Sequence, residues 1–373
     1  PSWRIAGIRR ESNHGLERVV ADVAGTAIWF ESRDAELDPS PEAFAGLMML
    51  PALQHGVRVA VESSLDPVWL SGTAKLPAIY ASWWGYARAF PFDHEGAAAP
   101  GAARGAGTAS CFTGGVDSFY TLLTRGAGID HLLYVHGYDI PLADTARFEA
   151  FERSLREIAD RTEKRALVLR TNLREHPIFA SVSWDRTHGA ALAAAGLLLS
   201  ARIHTLIVPS SYRYLHLRPW GSHPATDPYW STSRTSIVHD DATFSRDEKT
   251  AHIADVPLAW KHLRVCWENR APTGNCSACH KCVRTMVALA GQRRLSDFTV
   301  FDHTVPLAAR LDALPPLPEH LVPPWGNLLE LDLDPAVRRA LDRLMARSPG
   351  SAAAPLRGLA WRVKRAWRRR WAG

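Results

Sequence analysis

The sequence predicts an α/β fold: a doubly wound, mostly parallel sheet with a zinc-bound segment after it and a smaller N-terminal α/β or α+β domain before it. Three observations predict it. From Thr108 onward, short apolar runs alternate with helical patterns, as strands joined by crossover helices do. Between the first such strand and its helix stands Thr113-Gly114-Gly115-Val116-Asp117-Ser118, a glycine turn that opens a helix. Cys266, Cys276, Cys279 and Cys282, four of the five cysteines, fall within seventeen residues, which points to a metal rather than to disulfides.

Length and composition bound the reading. At 373 residues the chain exceeds one ordinary core and suits two domains with appendages. Hydrophobic residues make up 46% and charged residues 22%, the balance of a globular protein in water. No apolar run reaches the length of a membrane span, and the start, Pro-Ser-Trp-Arg, lacks a secretory pattern, so a cytoplasmic enzyme is expected. The formal net charge is +6, yet six arginines and one lysine lie between Leu356 and Gly373 with no acid among them. The basic character belongs to that tail, and the remainder is close to neutral.

In chain order, residues 1–95 read as a domain of their own. Residues 20–30 are apolar and β-leaning, and Val57, Val59 and Val61 alternate as one face of a strand. A helix is expected between them, capped by Ser40, with Pro41 at its first position, Gly56 at its stop and a kink at Pro51. Trp83 and Trp84 are expected in the core, with a docking face as the alternative. The Ala, Gly and Pro of 96–107 form a linker.

The main domain is expected over 108–295. After the first strand and the glycine turn come a strand at His131–Gly137, a helix at Ala146–Arg161 and a strand at Arg165–Arg170. A long Ala- and Leu-rich helix at Asp185–Arg202 and a strand at Thr205–Pro209 follow. In such sheets ligands bind at the carboxyl ends of the strands, here Thr113, His136-Gly137-Tyr138-Asp139 and Ser210-Ser211. Ser210–Asp241 reads as a long binding loop rich in Tyr, Trp, His and Arg. His223, Asp227, His239, Asp240 and Asp241 fit no metal-ligand spacing there. Ser245 caps a helix with Glu248 in a capping box, and the Lys and Arg of this start can reach a polyphosphate or simply face solvent. A helix at Val283–Gln292 packs on the zinc segment, and 296–346 is a helical extension with a helix at Pro335–Ala346. In the tail, 347–373, Leu356, Leu359, Val363, Trp367 and Trp371 form a stripe opposite the arginines. That helix suits an anionic membrane surface, nucleic-acid phosphates, or docking on the protein itself.

The glycine turn is suited to phosphate. Adjacent glycines let the backbone approach a ligand, and the opening helix offers N–H groups and its positive dipole end. Thr113 and Ser118 add hydroxyls, and Asp117 suits a phosphate-bound Mg²⁺. No Lys-Ser/Thr pair follows, so this is not a Walker A loop. An ordinary turn with an Asp or Ser cap is the plain alternative. Among the cysteines, nine residues separate Cys266 from a C-x-x-C-x-x-C run. Four thiolates suit tetrahedral Zn²⁺ with no open position, hence a structural site, with an iron–sulfur cluster as the competitor.

The turn resembles the Ser-Gly-Gly-x-Asp-Ser signature of the PP-loop ATP pyrophosphatase superfamily, with Thr113 keeping the hydroxyl. With the cysteines and Arg284, the chain is similar over about residues 108–290 to 7-cyano-7-deazaguanine synthases of queuosine biosynthesis. The resemblance implies an adenine nucleotide alpha hydrolase-like fold and binding of ATP and Mg²⁺ by Phe112, Thr113, Gly114, Gly115, Val116, Asp117 and Ser118. It implies catalytic roles for Asp117, Ser118, Arg186 and Lys249, and zinc ligation by Cys266, Cys276, Cys279 and Cys282.

The chain departs from that family in its length, its first hundred residues, its aromatic loop and Thr113, and these place the substrate in question. The expected activity is an AMP-forming carbon–nitrogen ligase acting on a deazaguanine-like acid with ammonia. The runner-up joins an activated acid to a protein or small-molecule amine, as in antiviral gene clusters. An ATP-sensing regulatory module is the reading of a different class.

Overall fold

The computed structural model describes residues 2–99 and 105–349. The chain divides into two compact units between Arg246 and Asp247. The first holds one sheet of ten strands: β1 (Ser2–Asn13), β2 (Leu16–Val23), β3 (Thr26–Ser32), β4 (Arg58–Val61), β5 (Phe92–His94), β6 (Gly107–Cys111), β7 (His131–His136), β8 (Arg165–Thr171), β9 (Ile203–Val208) and β10 (Ser236–His239). Their order is β10-β9-β6-β7-β8-β3-β2-β1-β4-β5. The first five pair in parallel, β8-β3-β2-β1 antiparallel, and β4 and β5 parallel to β1. The protein is therefore α/β with a mostly parallel sheet.

In the parallel half the chain starts at β6 in the middle, runs outward through β7 and β8, then returns to β9 and β10 on the other side. The strand order thus reverses beside β6, which is where ligands bind in doubly wound sheets. Both faces of β7 are covered. Leu133 and Val135 of β7 join the core formed with helices Pro41–His55 and Trp184–Leu197. On the opposite face, Tyr134 meets Phe151 of helix Thr145–Arg161 with ring centroids 4.4 Å apart. Burial on two sides explains why β7 reads as an unbroken apolar run in the sequence.

Local signals place several elements where expected. Ser40 Oγ accepts from the Ala43 N–H at 3.3 Å at the start of helix Pro41–His55, and Gly56 closes it at φ 64°. Helix Pro335–Ala346 begins and ends at the expected residues, with Asp334 as its cap.

The N-terminal region differs from the separate domain expected over 1–95. Its strands belong to the same sheet as the parallel half, because β3 pairs with β8. Where that pairing ends, the Asp34 carboxylate accepts from the Val168 N–H at 2.9 Å, and Ser32 Oγ donates to the Val168 carbonyl at 2.8 Å. Residues 20–30, β-leaning in the sequence, span the end of β2 and the start of β3, with Ala24 and Gly25 both at positive φ in a tight hairpin turn. The long strand β1 gave no signal because it is mostly polar and its register shifts between Ala6 and Arg9, which breaks the alternation. Trp83 and Trp84 are half-buried rather than core. β10 lies inside the segment expected as a loop; four residues of an edge strand are too short to show a period.

Gly137, just beyond β7, stands at φ 104°, and a Cβ there would lie 2.1 Å from the Thr171 carbonyl oxygen. Gly137→Ala is expected to cost about 2–4 kcal/mol, from the disfavoured backbone and the clash together, read as a lower urea midpoint.

The second unit is helical. Its core gathers Val283 and Val287 of helix His280–Gly291, Leu311, Trp325, and Leu341 and Leu344 of helix Pro335–Ala346. Residues 350–373, which carry the Trp and Arg stripe, lie outside the described residues, as do 100–104 of the expected linker.

Candidate functional site

The glycine turn leaves the carboxyl end of β6. Phe112 is buried against Phe119, and its N–H donates to the Leu133 carbonyl at 2.7 Å, which fixes the exit from the sheet. Gly114 takes φ 71°, which only glycine adopts without strain. Gly115 sits at φ −80° and ψ 169° as the residue before helix Val116–Arg125, with no side-chain cap. The Phe119 N–H is the first to bond back, to the Gly115 carbonyl at 3.0 Å. The N–H groups of Val116, Asp117 and Ser118 therefore make up the first turn at the open end of the helix. Val116 is buried beneath the turn. Ser118 Oγ donates to the Gly115 carbonyl at 3.0 Å, so its hydroxyl shapes the turn rather than standing at the rim. Thr113 and Asp117 are half-buried. Arg246 Nη1 meets Asp117 Oδ2 at 2.5 Å, which brings the arginine of the Ser245 helix start to the turn.

Aromatic side chains gather at the neighbouring strand ends and loop. The Tyr138 hydroxyl donates to the Ala191 carbonyl at 2.7 Å, and its ring lies 5.1 Å from Trp184. Arg174 stacks over Trp184 at 4.9 Å and donates to the Tyr138 carbonyl at 2.7 Å. His188 links Trp184 to Trp220, which lies edge-on to Tyr212, and Arg218 stacks on both Tyr212 and Trp220 and donates to the Tyr212 hydroxyl. Burial pushes the Tyr212 phenol up; Arg218 opposes this, and the charges of Asp185 and Asp117 add to it. These residues come from three separate stretches and pack ring against ring.

The acids and histidines of 210–241 are internal braces. The buried Asp227 carboxylate accepts from Ser222 Oγ at 2.6 Å, from the His223 N–H at 3.0 Å and from His239 Nδ1 at 2.7 Å. Its charge reaches Cys111, whose thiol is pushed up to about 12, chiefly by burial. Asp240 is held on the helix side by Thr121 and Arg125. Among the described residues, the one cluster of three or more His, Cys, Asp or Glu placed to hold a metal ion is that of the cysteines.

Arg186 is committed to the N-terminal aromatics. Its guanidinium lies 5.4 Å from the Trp84 ring and 5.6 Å from the Tyr86 ring, and Nη1 donates to the Tyr86 hydroxyl at 2.7 Å. The first ninety residues therefore reach the start of helix Trp184–Leu197 through this side chain. Lys249 is buried on helix Arg246–Ile253, and nearby Asp247 accepts from Arg284 at 2.8 and 2.9 Å.

In the second unit, the four sulfurs of Cys266, Cys276, Cys279 and Cys282 all lie within 4.8 Å of one another. Cys276 and Cys282 are 3.9 Å apart, close to the roughly 3.8 Å that tetrahedral Zn–S bonds of about 2.3 Å require and far from a disulfide. The Cys279 N–H donates to Cys276 Sγ at 3.2 Å and the Cys282 N–H to Cys279 Sγ at 3.5 Å, which turns the chain around the site. As thiols the cluster shares its protons unevenly. Bonds to Cys279 and Cys282 pull Cys266 down, and the bond to Cys266 pushes Cys279 up to about 12. So crowded a set is relieved by a cation that takes all four as thiolates. The four cysteines can thus hold a metal ion such as zinc.

Two residues absent from the sequence reading brace this site. Asn275 Oδ1 accepts from the Val265 and Cys266 N–H groups at 2.8 and 3.1 Å while Nδ2 donates to the Leu263 carbonyl at 2.8 Å. Arg310 donates to the Ser277 carbonyl at 2.8 Å, where Ser277 takes φ 54°. A side-chain amide beside a cysteine is the one hint the sequence held. Comparison of the chain with protein-family models, with curated proteins and with solved structures finds no match.

Proposed function

We propose that the chain is an ATP-dependent, AMP- and pyrophosphate-forming enzyme of the PP-loop fold, similar to the 7-cyano-7-deazaguanine synthases. It would convert the carboxylate of a deazaguanine-like substrate into a nitrile with ammonia as nitrogen donor. The observation that carries this reading is the Thr113–Ser118 turn, with its Gly-Gly-x-Asp-Ser order, at the carboxyl end of the central strand where the strand order reverses.

The substrate carboxylate attacks the α phosphate of ATP, pyrophosphate leaves, and ammonia displaces AMP to give an amide. The amide oxygen then attacks a second ATP; loss of AMP and a proton leaves the carbon–nitrogen triple bond. Each removed oxygen needs one activation, because oxide is a poor leaving group and AMP a good one. The N–H groups of Val116, Asp117 and Ser118 and the Thr113 hydroxyl would hold the departing pyrophosphate. Asp117 would hold Mg²⁺, which supplies charge neutralisation on the phosphates. Zinc on the four cysteines would be structural, since four sulfurs leave no position for water.

Product analysis tests the reading. Incubation with ATP, Mg²⁺, ammonia and 7-carboxy-7-deazaguanine is expected to yield two AMP per nitrile. Release of ADP would overturn it, and AMP with an acid–amine conjugate in place of a nitrile would move the assignment to the ligase.

A further inference from the structure

We propose that Arg246 is a polyphosphate-binding side chain, held by Asp117 until a magnesium nucleotide arrives and exchanges the partners. Asp117 then turns to the metal and the guanidinium to phosphate oxygens. This rests on the reading of the Thr113–Ser118 turn given above, and it adds a residue that neither the motif nor the resemblance names.

Asp117 is the second residue of the helix that opens at the turn, so its carboxylate stands where a phosphate would lie. A bare carboxylate there would repel the ligand. Arg246 cancels that charge through the 2.5 Å contact, and both side chains keep about a sixth of their surface in contact with solvent, at 16% and 17%. In so enclosed a place the pair opens only if new partners replace both charges, as a magnesium ion on Asp117 and phosphate oxygens on Arg246 would. The exchange is electrostatically balanced: one carboxylate–guanidinium pair gives way to a carboxylate–Mg²⁺ pair and a guanidinium–phosphate pair. A guanidinium offers five donors in a fork that matches phosphate better than it matches one carboxylate oxygen.

The chain just before Arg246 is held beside the turn: Phe244, two residues earlier, packs at 5.8 Å on Tyr120, one turn along the helix that carries Asp117. The plain alternative is a structural tie between two helices, and it predicts loss of stability without loss of ligand.

Inorganic pyrophosphate titrated into the full chain, with and without Mg²⁺, separates the two. Arg246→Ala is expected to weaken pyrophosphate binding at least tenfold in both conditions, and Arg246→Lys to fall between it and the native protein. Asp117→Asn, which removes the carboxylate charge beside the guanidinium, is expected to bind pyrophosphate several-fold tighter than the native protein without Mg²⁺ and to lose the gain that Mg²⁺ gives. Native affinity in a folded Arg246→Ala protein would overturn the proposal alone. So would weaker Mg²⁺-free binding by Asp117→Asn, which decides the matter if Arg246→Ala fails to fold. A native protein that binds no pyrophosphate under either condition overturns the proposed function together with this inference.

Discussion

Cys279→Ser is expected to strip the metal from the second unit and unfold it. Cys279 provides one of four converging sulfurs, caps helix His280–Gly291 through the Cys282 N–H, and is buried. Helix His280–Gly291 also supplies Val283 and Val287 to the core of that unit, so a site that loosens its first turn loosens the packing behind it. Structural zinc contributes on the order of 10 kcal/mol to folding near neutral pH. Loss of one ligand of four should remove several kcal/mol of this, more than a unit of this size has in reserve. The native chain should hold about one zinc on metal analysis, and the variant little or none, with an early thermal transition that chelator reproduces in the native protein. Iron with visible charge-transfer absorption in the native protein would replace zinc by a cluster. Asn275 sets a scale for comparison, because it holds the Val265–Cys266 segment beside the C-x-x-C run without being one of the four sulfur ligands.

Gly115→Val should abolish most ATP turnover while leaving the fold in place. The backbone at Gly115, φ −80° and ψ 169°, is ordinary extended geometry that valine also adopts. Its cost in the protein is that of a poor residue before a helix, about 1 kcal/mol. Its cost to the proposed reaction is larger, since two methyl groups would stand where N–H groups have to approach the leaving pyrophosphate. Losing such donors typically lowers rate by about 10²–10³-fold. Gly114→Ala provides the contrast: φ 71° makes it a folding defect first. AMP formation measured per folded molecule distinguishes the two, and an active, folded Gly115→Val protein would remove the turn from the nucleotide site. Asp117→Ala should also abolish turnover, through the loss of the magnesium contact.

The sequence by itself determined what local chemistry can determine. A serine, a proline and a glycine at fixed offsets delimit helix Pro41–His55, because capping and backbone preference act over one or two turns. Burial on both faces writes β7 and β8 as apolar runs, and the crossovers between them leave the period of a helix. The Gly-Gly turn and the cysteine spacing are equally local, so the helix start at Val116 and the gathering of four sulfurs both follow from short stretches of chain.

Tertiary structure alone decided where the N-terminal strands go. β3 joins β8 through backbone hydrogen bonds that any side chains permit, and nothing in either segment names the other. The same holds for the charged contacts that matter at the turn. Arg246 lies 129 residues from Asp117, and Arg186 a hundred from Tyr86. An arginine on a polar helix start looks the same in sequence whether it faces water or a carboxylate. Only the folding of the chain sets which charge it meets, because ion pairs form by proximity in space and leave no period along the chain.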